Sequence, residues 1–316
     1  MKVGFIGLGN VGGKLAGSLL RNGYDLMVRD LDHALVKSFV DQGASSASSP
    51  KEMAEKVDLI ITCLPSPAAS SKVMESSNGV IQGLSKGKIW LEMSTTDESE
   101  IIRLAKLLEA KGAKTMDCPV SGGCHRAATG NISIFAGGER KTFDQVLPLL
   151  TKMGRRILHT GPLGSASFLK VLTNFLCSAH LAALAESFAV AKKAGMDMNT
   201  TYEAIRISSG NSFVHETESQ LILNGSRDVN FTMDLVVKDV GLFDKLANDH
   251  NVPLEISPMI LDIFKDGQKR YGPREFSTNI VKRLEDDCGI QILGTGFPAE
   301  LTDDEPEEPG YEVKPR

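Results

Sequence analysis

The stretch Val3-Gly4-Phe5-Ile6-Gly7-Leu8-Gly9-Asn10-Val11-Gly12 decides the fold. Its apolar first part predicts a buried strand, its glycines predict a tight turn, and the segment 15–20 behind it is compatible with a helix. This order forms a pyrophosphate site, because the glycines let backbone approach the phosphates and the helix N-terminus supplies a positive dipole. The candidate cofactor-binding residues are Gly7, Leu8, Gly9, Asn10, Val11 and Gly12.

A second apolar segment, Leu26-Met27-Val28, is followed by an acid. Asp30 lies eighteen residues beyond Gly12, about where a carboxylate meets the adenosine ribose hydroxyls of a dinucleotide. The glycine motif alone is a weak signal. Together with its flanking elements and Asp30, it predicts a dinucleotide-binding fold.

The composition is that of a soluble globular protein. The 316 residues are 41% hydrophobic and 24% charged, which allows one large or two ordinary domains. No run approaches the eighteen apolar residues of a membrane span, and the chain starts without a charged leader, so the cytoplasm is the expected location. Five cysteines without CxxC spacing favour neither a disulfide framework nor a metal site.

The charge is concentrated at the C-terminus. The formal net charge is −5, and residues 294–316 hold seven acids against two bases, so the remaining body is neutral. A chain without a basic face is not expected to bind nucleic acid or an anionic membrane. The acidic, proline-containing tail is expected to be disordered or loosely draped.

Short apolar runs alternate with amphipathic stretches up to about residue 162. This alternation predicts a doubly wound parallel sheet with crossover helices, such as 98–110. The predicted strands are 2–6, 25–29, 58–64, 88–92, 113–117, 131–137 and 155–160.

The pattern changes after residue 164. The segment 168–194 has no Gly or Pro and is rich in Leu and Ala, which predicts a helix of about 40 Å that ends at Gly195. The later segments 201–207, 234–249 and 258–269 also read as helices. We therefore expect an α/β Rossmann-type domain at 1–162, an all-α domain at 163–293 built on the long inter-domain helix, and the tail at 294–316.

Three further clusters stand at predicted strand ends or helix starts. Asp117-Cys118-Pro119-Val120-Ser121-Gly122-Gly123 follows a strand, and its glycines would turn consecutive N–H groups toward an anion with Ser121 as an added donor. A substrate carboxylate would suit this turn. The alternative is a plain turn into the next helix.

Lys170 and Asn174 lie four residues apart near the start of the long helix and share one face. A lysine that exchanges protons near neutral pH needs a lowered pKa, which burial and the positive helix end favour. The alternative is an exposed lysine on a surface helix. Lys238-Asp239 could complete a cleft or form an ordinary surface ion pair.

Two more segments are cofactor-contact candidates. Thr95 follows a strand within Ser94-Thr95-Thr96, which could also cap a helix. Leu64-Pro65 ends another strand, where a nicotinamide face could rest.

These motifs, in this order, resemble the β-hydroxyacid dehydrogenase family, typified by 3-hydroxyisobutyrate dehydrogenases. The resemblance covers residues 1 to about 290 and rests on 4–12, 117–123, 164–174 and Lys238-Asp239. It implies NAD or NADP accepting hydride from a 3-hydroxy carboxylic acid and a homodimer or homotetramer built on the long helix. It also implies Lys170 as catalytic acid/base, Asn174 as its partner on the substrate, Ser121, Gly122 and Gly123 as the carboxylate cradle, and Lys238 as a cleft residue.

The chain departs from the family pattern at several positions. Ala166 replaces a usual glycine before Lys170. NADP-preferring members resemble one another in an Asn-Arg-Thr segment at the end of the second strand, whereas this chain has Asp30 there. Because an acid repels a 2′-phosphate, Asp30 favours NAD over NADP. The neighbouring Arg29 is the feature that favours NADP. His125 and Arg126 follow the cradle where small residues are usual. We hypothesise that one of them reads a second polar or anionic group on the substrate; the alternative is a solvent-facing helix start.

Rival functions remain open. Within the enzyme class they are a tartronate semialdehyde reductase and a serine- or threonate-type 3-dehydrogenase, whereas a decarboxylating sugar-acid dehydrogenase usually has a much longer helical domain. A non-catalytic dinucleotide-binding sensor is the alternative from another class, disfavoured because Lys170 and Asn174 are both present.

Overall fold

The computed structural model describes residues 1–315 and divides the chain into two compact units. Unit 1 comprises 1–170 and 303–316, and unit 2 comprises 171–302. The helix that begins at Ser165 passes from the first unit into the second. The boundaries differ from the expected 162/163 and 293/294, because the first turn of this helix and the last residues of the chain both belong to unit 1.

Unit 1 is built on a single sheet. Its strands are β1 Lys2–Ile6, β2 Asp25–Arg29, β3 Ser45–Ser46, β4 Leu59–Thr62, β5 Ile89–Glu92, β6 Lys114–Asp117, β7 Val120–Ser121, β8 Ile132–Gly137, β9 Gly154–Gly161 and β10 Tyr311–Val313. The strand order is β10-β9-β8-β6-β5-β4-β1-β2-β3, with β7 paired to β8.

The predicted Rossmann-type sheet followed by a helical domain is confirmed, but the sheet is mixed rather than wholly parallel. The strands from β3 to β6 along this order pair in parallel. β8 runs antiparallel to β6 and β7, and β9 and β10 follow the direction of β8. β7 runs in the direction of β6, and the chain reverses between β7 and β8 over the short helix Gly123–Ala128.

Helices cover both faces of this sheet. They are α1 Gly12–Arg21, α2 His33–Asp41, α3 Pro50–Lys56, α4 Pro67–Glu75, α5 Val80–Gly83, α6 Glu98–Glu109, α7 Gly123–Ala128 and α8 Arg140–Met153. Alternate residues of each strand enter different cores, as the pleat requires. Leu59 and Ile61 pack in one apolar cluster and Ile60 in the other.

Unit 2 is helical in its described residues. It contains most of α9 Ser165–Lys193, then α10 Met198–Arg206, α11 Phe213–Asn224, α12 Met233–Asp249, α13 Ile256–Tyr271, a 3-10 helix Ser277–Val281 and α14 Lys282–Cys288. Leu181, Ala185 and Phe188 of α9 lie in its core, so this helix is the spine that the sequence predicts.

Over residues 1–315, α9 alone is long and apolar enough to cross a membrane by length and composition, with a mean hydropathy of 1.5 in an 18-residue window. The search for an uninterrupted apolar run missed it, because Ser, Thr and Asn are scattered through the helix. Its buried residues Leu181, Ala185 and Phe188 are in the core of unit 2.

The expectation of a disordered tail is wrong for residues 303–315. Tyr311–Val313 forms β10 and pairs in parallel with β9, from Arg156 to Leu158. Arg140 donates to both carboxylate oxygens of Glu312, at 2.7 and 3.0 Å. The tail is ordered because its acids meet arginines that lie about 150 residues or more earlier in the chain.

Candidate active site

In the glycine turn after β1 of unit 1, a side chain would clash at the first glycine, Gly7, but would meet no neighbouring atom at the second, Gly9. Gly7 has φ +100°, and a Cβ there would lie 2.2 Å from the carbonyl oxygen of Cys63. A Cβ at Gly9 would meet nothing within 4 Å. The turn therefore packs tightly against the end of β4 and leaves its middle glycine accessible, as close approach of a pyrophosphate requires.

Asp30 lies directly beside this turn. Its Oδ2 accepts the N–H of Leu8 at 2.6 Å, and its Oδ1 accepts the N–H of Asp32 at 2.9 Å. Each carboxylate oxygen carries further lone pairs that can accept ribose hydroxyls. The residues present thus fit a dinucleotide that runs from the glycine turn to the end of β2.

Arg29, the neighbour of Asp30, is engaged elsewhere. Its Nη1 donates to the carbonyl oxygens of Ala47 at 3.1 Å and Ser48 at 2.7 Å. These bonds hold the guanidinium group against the loop after β3.

A buried acid fixes the loop that follows β4. Leu64 donates its N–H to Ser94 Oγ at 2.7 Å, and the Ser94 N–H donates to Glu92 Oε1 at 2.9 Å. The Ser94 hydroxyl also donates to Glu92. Burial raises the pKa of Glu92, although the bonds from Ser94 oppose it. This chain holds the Leu64-Pro65 segment next to the glycine turn, since a Cβ at Gly7 would lie 3.2 Å from Leu64 Cδ2.

Thr95 follows Ser94 in the same loop and is half-buried. The cap of α6 is Asp97, which accepts the N–H of Ser99 at 2.8 Å. The Ser94-Thr95-Thr96 segment therefore does not cap this helix, and a cofactor contact by Thr95 stays a prediction.

The turn between β7 and α7 has the backbone that an anion cradle needs. Gly122 and Gly123 have φ values of +128° and +88°, a conformation that lets successive N–H groups converge. A Cβ at Gly122 would lie 3.4 Å from Arg126 Cδ, and one at Gly123 would lie 2.8 Å from His125 Cε1. His125 and Arg126 thus lie against the two glycines.

His125 is held near its neutral form. Burial lowers the pKa of His125 and the charge of Arg126 lowers it further, whereas Asp303 opposes them. Both side chains are half-buried, which is not the fully solvent-facing helix start considered as the alternative.

Asp117 locks the start of the helix that carries Lys170. It ends β6, and its two carboxylate oxygens accept the N–H groups of Gly164 at 2.9 Å and Ser167 at 2.7 Å. Burial raises the pKa of Asp117, although the bonds from Gly164 and Ser167 oppose it. Ala166, the departure from the family's glycine, is fully buried in this turn. Lys170 itself is 7% exposed, so it is not the surface lysine of the alternative interpretation.

The helical unit contributes a second set of polar residues. Asn174 Nδ2 on α9 donates to Asp239 Oδ2 on α12 at 2.5 Å, and Lys238 Nζ lies 2.7 Å from Asp239 Oδ1. Asp239 is buried, so this pair is not the surface ion pair considered for Lys238. Asp239 orients the Asn174 amide.

The structure thus groups the predicted residues by unit. Unit 1 brings the glycine turn together with Asp30 and Leu64, and Asp117 links the strand before the cradle to the helix of Lys170. Asn174 and Lys238 belong to unit 2. The sequence reasoning assigned no role to Glu92, named Asp117 only as the first residue of the cradle motif, and considered Asp239 only together with Lys238. Over residues 1–315, no group of three His, Cys, Asp or Glu side chains could hold a metal ion.

Comparison with known proteins covers both units. The family model for the NAD binding domain of 6-phosphogluconate dehydrogenase matches residues 2–161. The model described as NAD-binding of NADP-dependent 3-hydroxyisobutyrate dehydrogenase matches residues 164–284.

Individual relatives match nearly the whole chain. The 2-(hydroxymethyl)glutarate dehydrogenase of Eubacterium barkeri is 33% identical over 93% of this chain and 98% of its own length. The mitochondrial 3-hydroxyisobutyrate dehydrogenase of Rattus norvegicus is 34% identical over 87% of this chain and 85% of its own. The crystal structure of a 3-hydroxyisobutyrate dehydrogenase from Salmonella typhimurium superposes with a TM-score of 0.81 at 27% identity, covering 90% of this chain and 99% of that one.

Proposed function

Because the chain belongs to the β-hydroxyacid dehydrogenase family, whose members are dehydrogenases acting on CH–OH groups, we propose that it oxidises a small 3-hydroxy carboxylic acid to its semialdehyde. The substrate we propose is of the 3-hydroxyisobutyrate type, with Lys170 as the acid/base. The observation that carries the proposal is a buried lysine on a helix that Asp117 bonds to the strand before the glycine cradle.

The cradle would hold the substrate carboxylate. The Ser121 hydroxyl and the N–H groups of Gly122 and Gly123 supply hydrogen-bond donors, which stabilise an anion without a full positive charge. Binding the carboxylate there fixes the neighbouring carbon and limits which hydroxyl reaches Lys170.

Lys170 would take the proton of the substrate hydroxyl on its Nζ as the alcohol is oxidised. A lysine accepts a proton in its neutral amine form. A bound nicotinamide cofactor supplies the hydride acceptor. Asn174, oriented by Asp239, and Lys238 are the residues of the helical unit that we propose to bind the substrate.

We propose NAD as the preferred cofactor within the NAD(P) class. Asp30 lies beside the glycine turn, where its carboxylate would accept ribose hydroxyls and repel a 2′-phosphate. The bonds of Arg29 to Ala47 and Ser48 support this preference, since they direct its guanidinium group to the protein's own backbone.

We further propose a homodimer or homotetramer built on α9 and a cytoplasmic location. Leu176 and Val190 on this helix are 51% and 70% exposed, which is the apolar exposure that an oligomer would bury. The five cysteines form no disulfide in the described part of the chain, which is compatible with a reducing compartment. Light scattering on the purified protein would determine the subunit number.

The function is tested with a panel of substrates. NADH formation would be followed with 3-hydroxyisobutyrate, 2-(hydroxymethyl)glutarate, serine and threonate, and NADH consumption with tartronate semialdehyde. We expect the highest kcat/KM for 3-hydroxyisobutyrate. Tight NADH binding, seen by fluorescence, without turnover of any of these compounds would instead indicate the non-catalytic sensor.

A further inference from the structure

The last residues of the chain form an acidic arm on an arginine-rich edge of unit 1. We call residues 303–315 the C-terminal arm. Its β10 pairs with β9, and Gly310 donates its N–H to the carbonyl oxygen of Thr151 at 2.9 Å. The ion pairs of the arm include Arg21–Glu307, Arg140–Glu312, Arg155–Glu308 and Arg156–Glu305. Neither family model extends past residue 284.

The carboxylate of Asp303, the first residue of the arm, is bound by the side chains of Arg126, Thr129 and Asn131. We call these three side chains the carboxylate seat. Asn131 Nδ2 donates to Asp303 Oδ2 at 2.7 Å, and the Thr129 hydroxyl donates to the same carboxylate. Arg126 Nε lies 4.0 Å from Asp303 Oδ1, and the Asp303 side chain is only 4% exposed. Burial by itself would raise the pKa of Asp303, but the bonds from Thr129 and Asn131 outweigh it and lower the pKa. Asp303 is therefore an anion held in place.

This seat adjoins the glycine cradle. Arg126 touches both, because its Cδ lies 3.4 Å from where a Gly122 Cβ would be and its Nε faces Asp303. The charge of Asp303 also acts on His125, where it partly opposes the lowering of the pKa by burial and by Arg126. A carboxylate of the protein itself thus lies within ion-pair distance of Arg126, which packs against Gly122.

Substrates of the proposed class differ in one group that this cation would sense. 3-Hydroxyisobutyrate carries a methyl group where 2-(hydroxymethyl)glutarate carries a second carboxylate on a two-carbon chain. A guanidinium beside the cradle would attract such a second carboxylate. A carboxylate that already neutralises the guanidinium removes that attraction and repels a second anion.

We propose that Asp303 is a specificity-determining residue, which neutralises Arg126 beside the cradle and so selects monocarboxylate over dicarboxylate 3-hydroxy acids. This proposal rests on the function proposed above. Through the ion pair between Asp303 and Arg126, the C-terminal arm would thus help to determine which 3-hydroxy acids the enzyme accepts.

The test compares Asp303→Asn with the wild type on 3-hydroxyisobutyrate and 2-(hydroxymethyl)glutarate. Asparagine keeps the size of the side chain and removes its charge. We expect the ratio of kcat/KM for the dicarboxylate to that for the monocarboxylate to rise by about tenfold, through KM rather than kcat. Glu308→Gln is the matched control, since it removes an arm charge from Arg155 and leaves Arg126 untouched; its ratio should equal the wild-type ratio.

Two further measurements keep the proposal falsifiable. In Asp303→Asn/Arg126→Gln, the ratio should return to the wild-type value, because the cation that attracts the second carboxylate is removed together with the charge of Asp303. An unchanged ratio in a folded Asp303→Asn protein would overturn the proposal. If that variant does not fold, Asp303→Ser decides in the same way: a raised ratio supports the proposal, and an unchanged ratio overturns it.

Failure of the proposed function would be seen separately. If the wild type turns over neither acid, calorimetry with the unreactive probes isobutyrate and glutarate still reports on the seat. A gain of about tenfold in glutarate affinity relative to isobutyrate in Asp303→Asn supports the role of Asp303. Equal relative affinities in both proteins contradict it.

Discussion

Asp117 accepts the backbone N–H of Ser167 at 2.7 Å, one helical turn before Lys170 on α9. The other oxygen of the same carboxylate accepts the N–H of Gly164 at 2.9 Å. One buried side chain therefore satisfies two of the N–H groups at the helix start, which otherwise lack partners. It also ties the helix of the candidate catalytic amine to the strand that leads into the cradle, so that the two cannot shift independently.

Asp117→Asn should reduce both stability and turnover. An amide presents an N–H₂ group to one of the two backbone donors, and one buried bond is lost at a cost of about 1–3 kcal/mol. We expect a lower midpoint in urea unfolding and a lower kcat with 3-hydroxyisobutyrate. Asp97→Asn is the control, because Asp97 also accepts an N–H at a helix start but on α6; an equal loss of kcat in both variants would contradict a positioning role for Asp117.

Lys170→Met should abolish most turnover while the protein still binds cofactor. Removing a positioned acid/base lowers rates by about 10²–10⁴-fold, and the glycine turn and Asp30 are unchanged. NADH formation measures the first effect and NADH fluorescence the second. Lys192→Met, near the far end of the same helix, should leave kcat unchanged. A Lys170→Met enzyme with near wild-type kcat would remove Lys170 from the mechanism.

Asp30→Asn should weaken selection of NAD over NADP. The neutral amide no longer repels a 2′-phosphate and accepts ribose hydroxyls less strongly. The ratio of kcat/KM for NAD to that for NADP should fall by about tenfold or more, a difference of about 1.4 kcal/mol. Asp25→Asn, at the other end of β2 and exposed, should not alter the ratio. If Asp30→Asn also leaves the NAD-to-NADP ratio unchanged, residues other than Asp30 determine the cofactor preference.

Glu218 makes the stability of unit 2 depend on pH. Burial raises the pKa of Glu218 from 4.5 to about 7, and the bond from Cys177 only partly opposes this. A carboxyl whose folded pKa is raised stabilises fully below its ordinary pKa, and this stability is lost as pH rises through the folded value. Between pH 4.5 and about 7 the wild type should therefore lose at most about 3 kcal/mol relative to Glu218→Gln.

Urea unfolding at a series of pH values checks this prediction. The exposed Glu216→Gln on the same helix should follow the wild-type curve. Parallel curves for wild type and Glu218→Gln throughout the range would show that Glu218 does not titrate in this window.

The sequence predicted the Rossmann-type half of the fold well, because its information is local. The run from Val3 to Gly12 contains strand, turn and helix start within ten residues, and the period-two and helical patterns place the later elements. The strand 131–137 was predicted, but its antiparallel direction was not, because nothing in a strand's own residues states the direction of its neighbour.

The roles of Asp117 and Asp303 could not be predicted in the same way. Asp117 lies 50 residues from Ser167, and Asp303 lies 172 residues from Asn131. Such partners share no spacing or period, and an acidic, proline-containing segment has the composition of a disordered tail. The arm is ordered because folding collects arginines from several elements on one edge of the sheet.

The short β10 also determines how this sheet ends. Without the arm, β9 would present a row of open N–H and C=O groups to other molecules, the usual starting point for intermolecular strand addition. β10 covers that row and is itself a poor template, since it has three residues with prolines at 309 and 315 on either side. A premature stop codon after residue 302 would thus spare every candidate residue of the cofactor site, the cradle and the catalytic pair, yet yield a protein prone to aggregate.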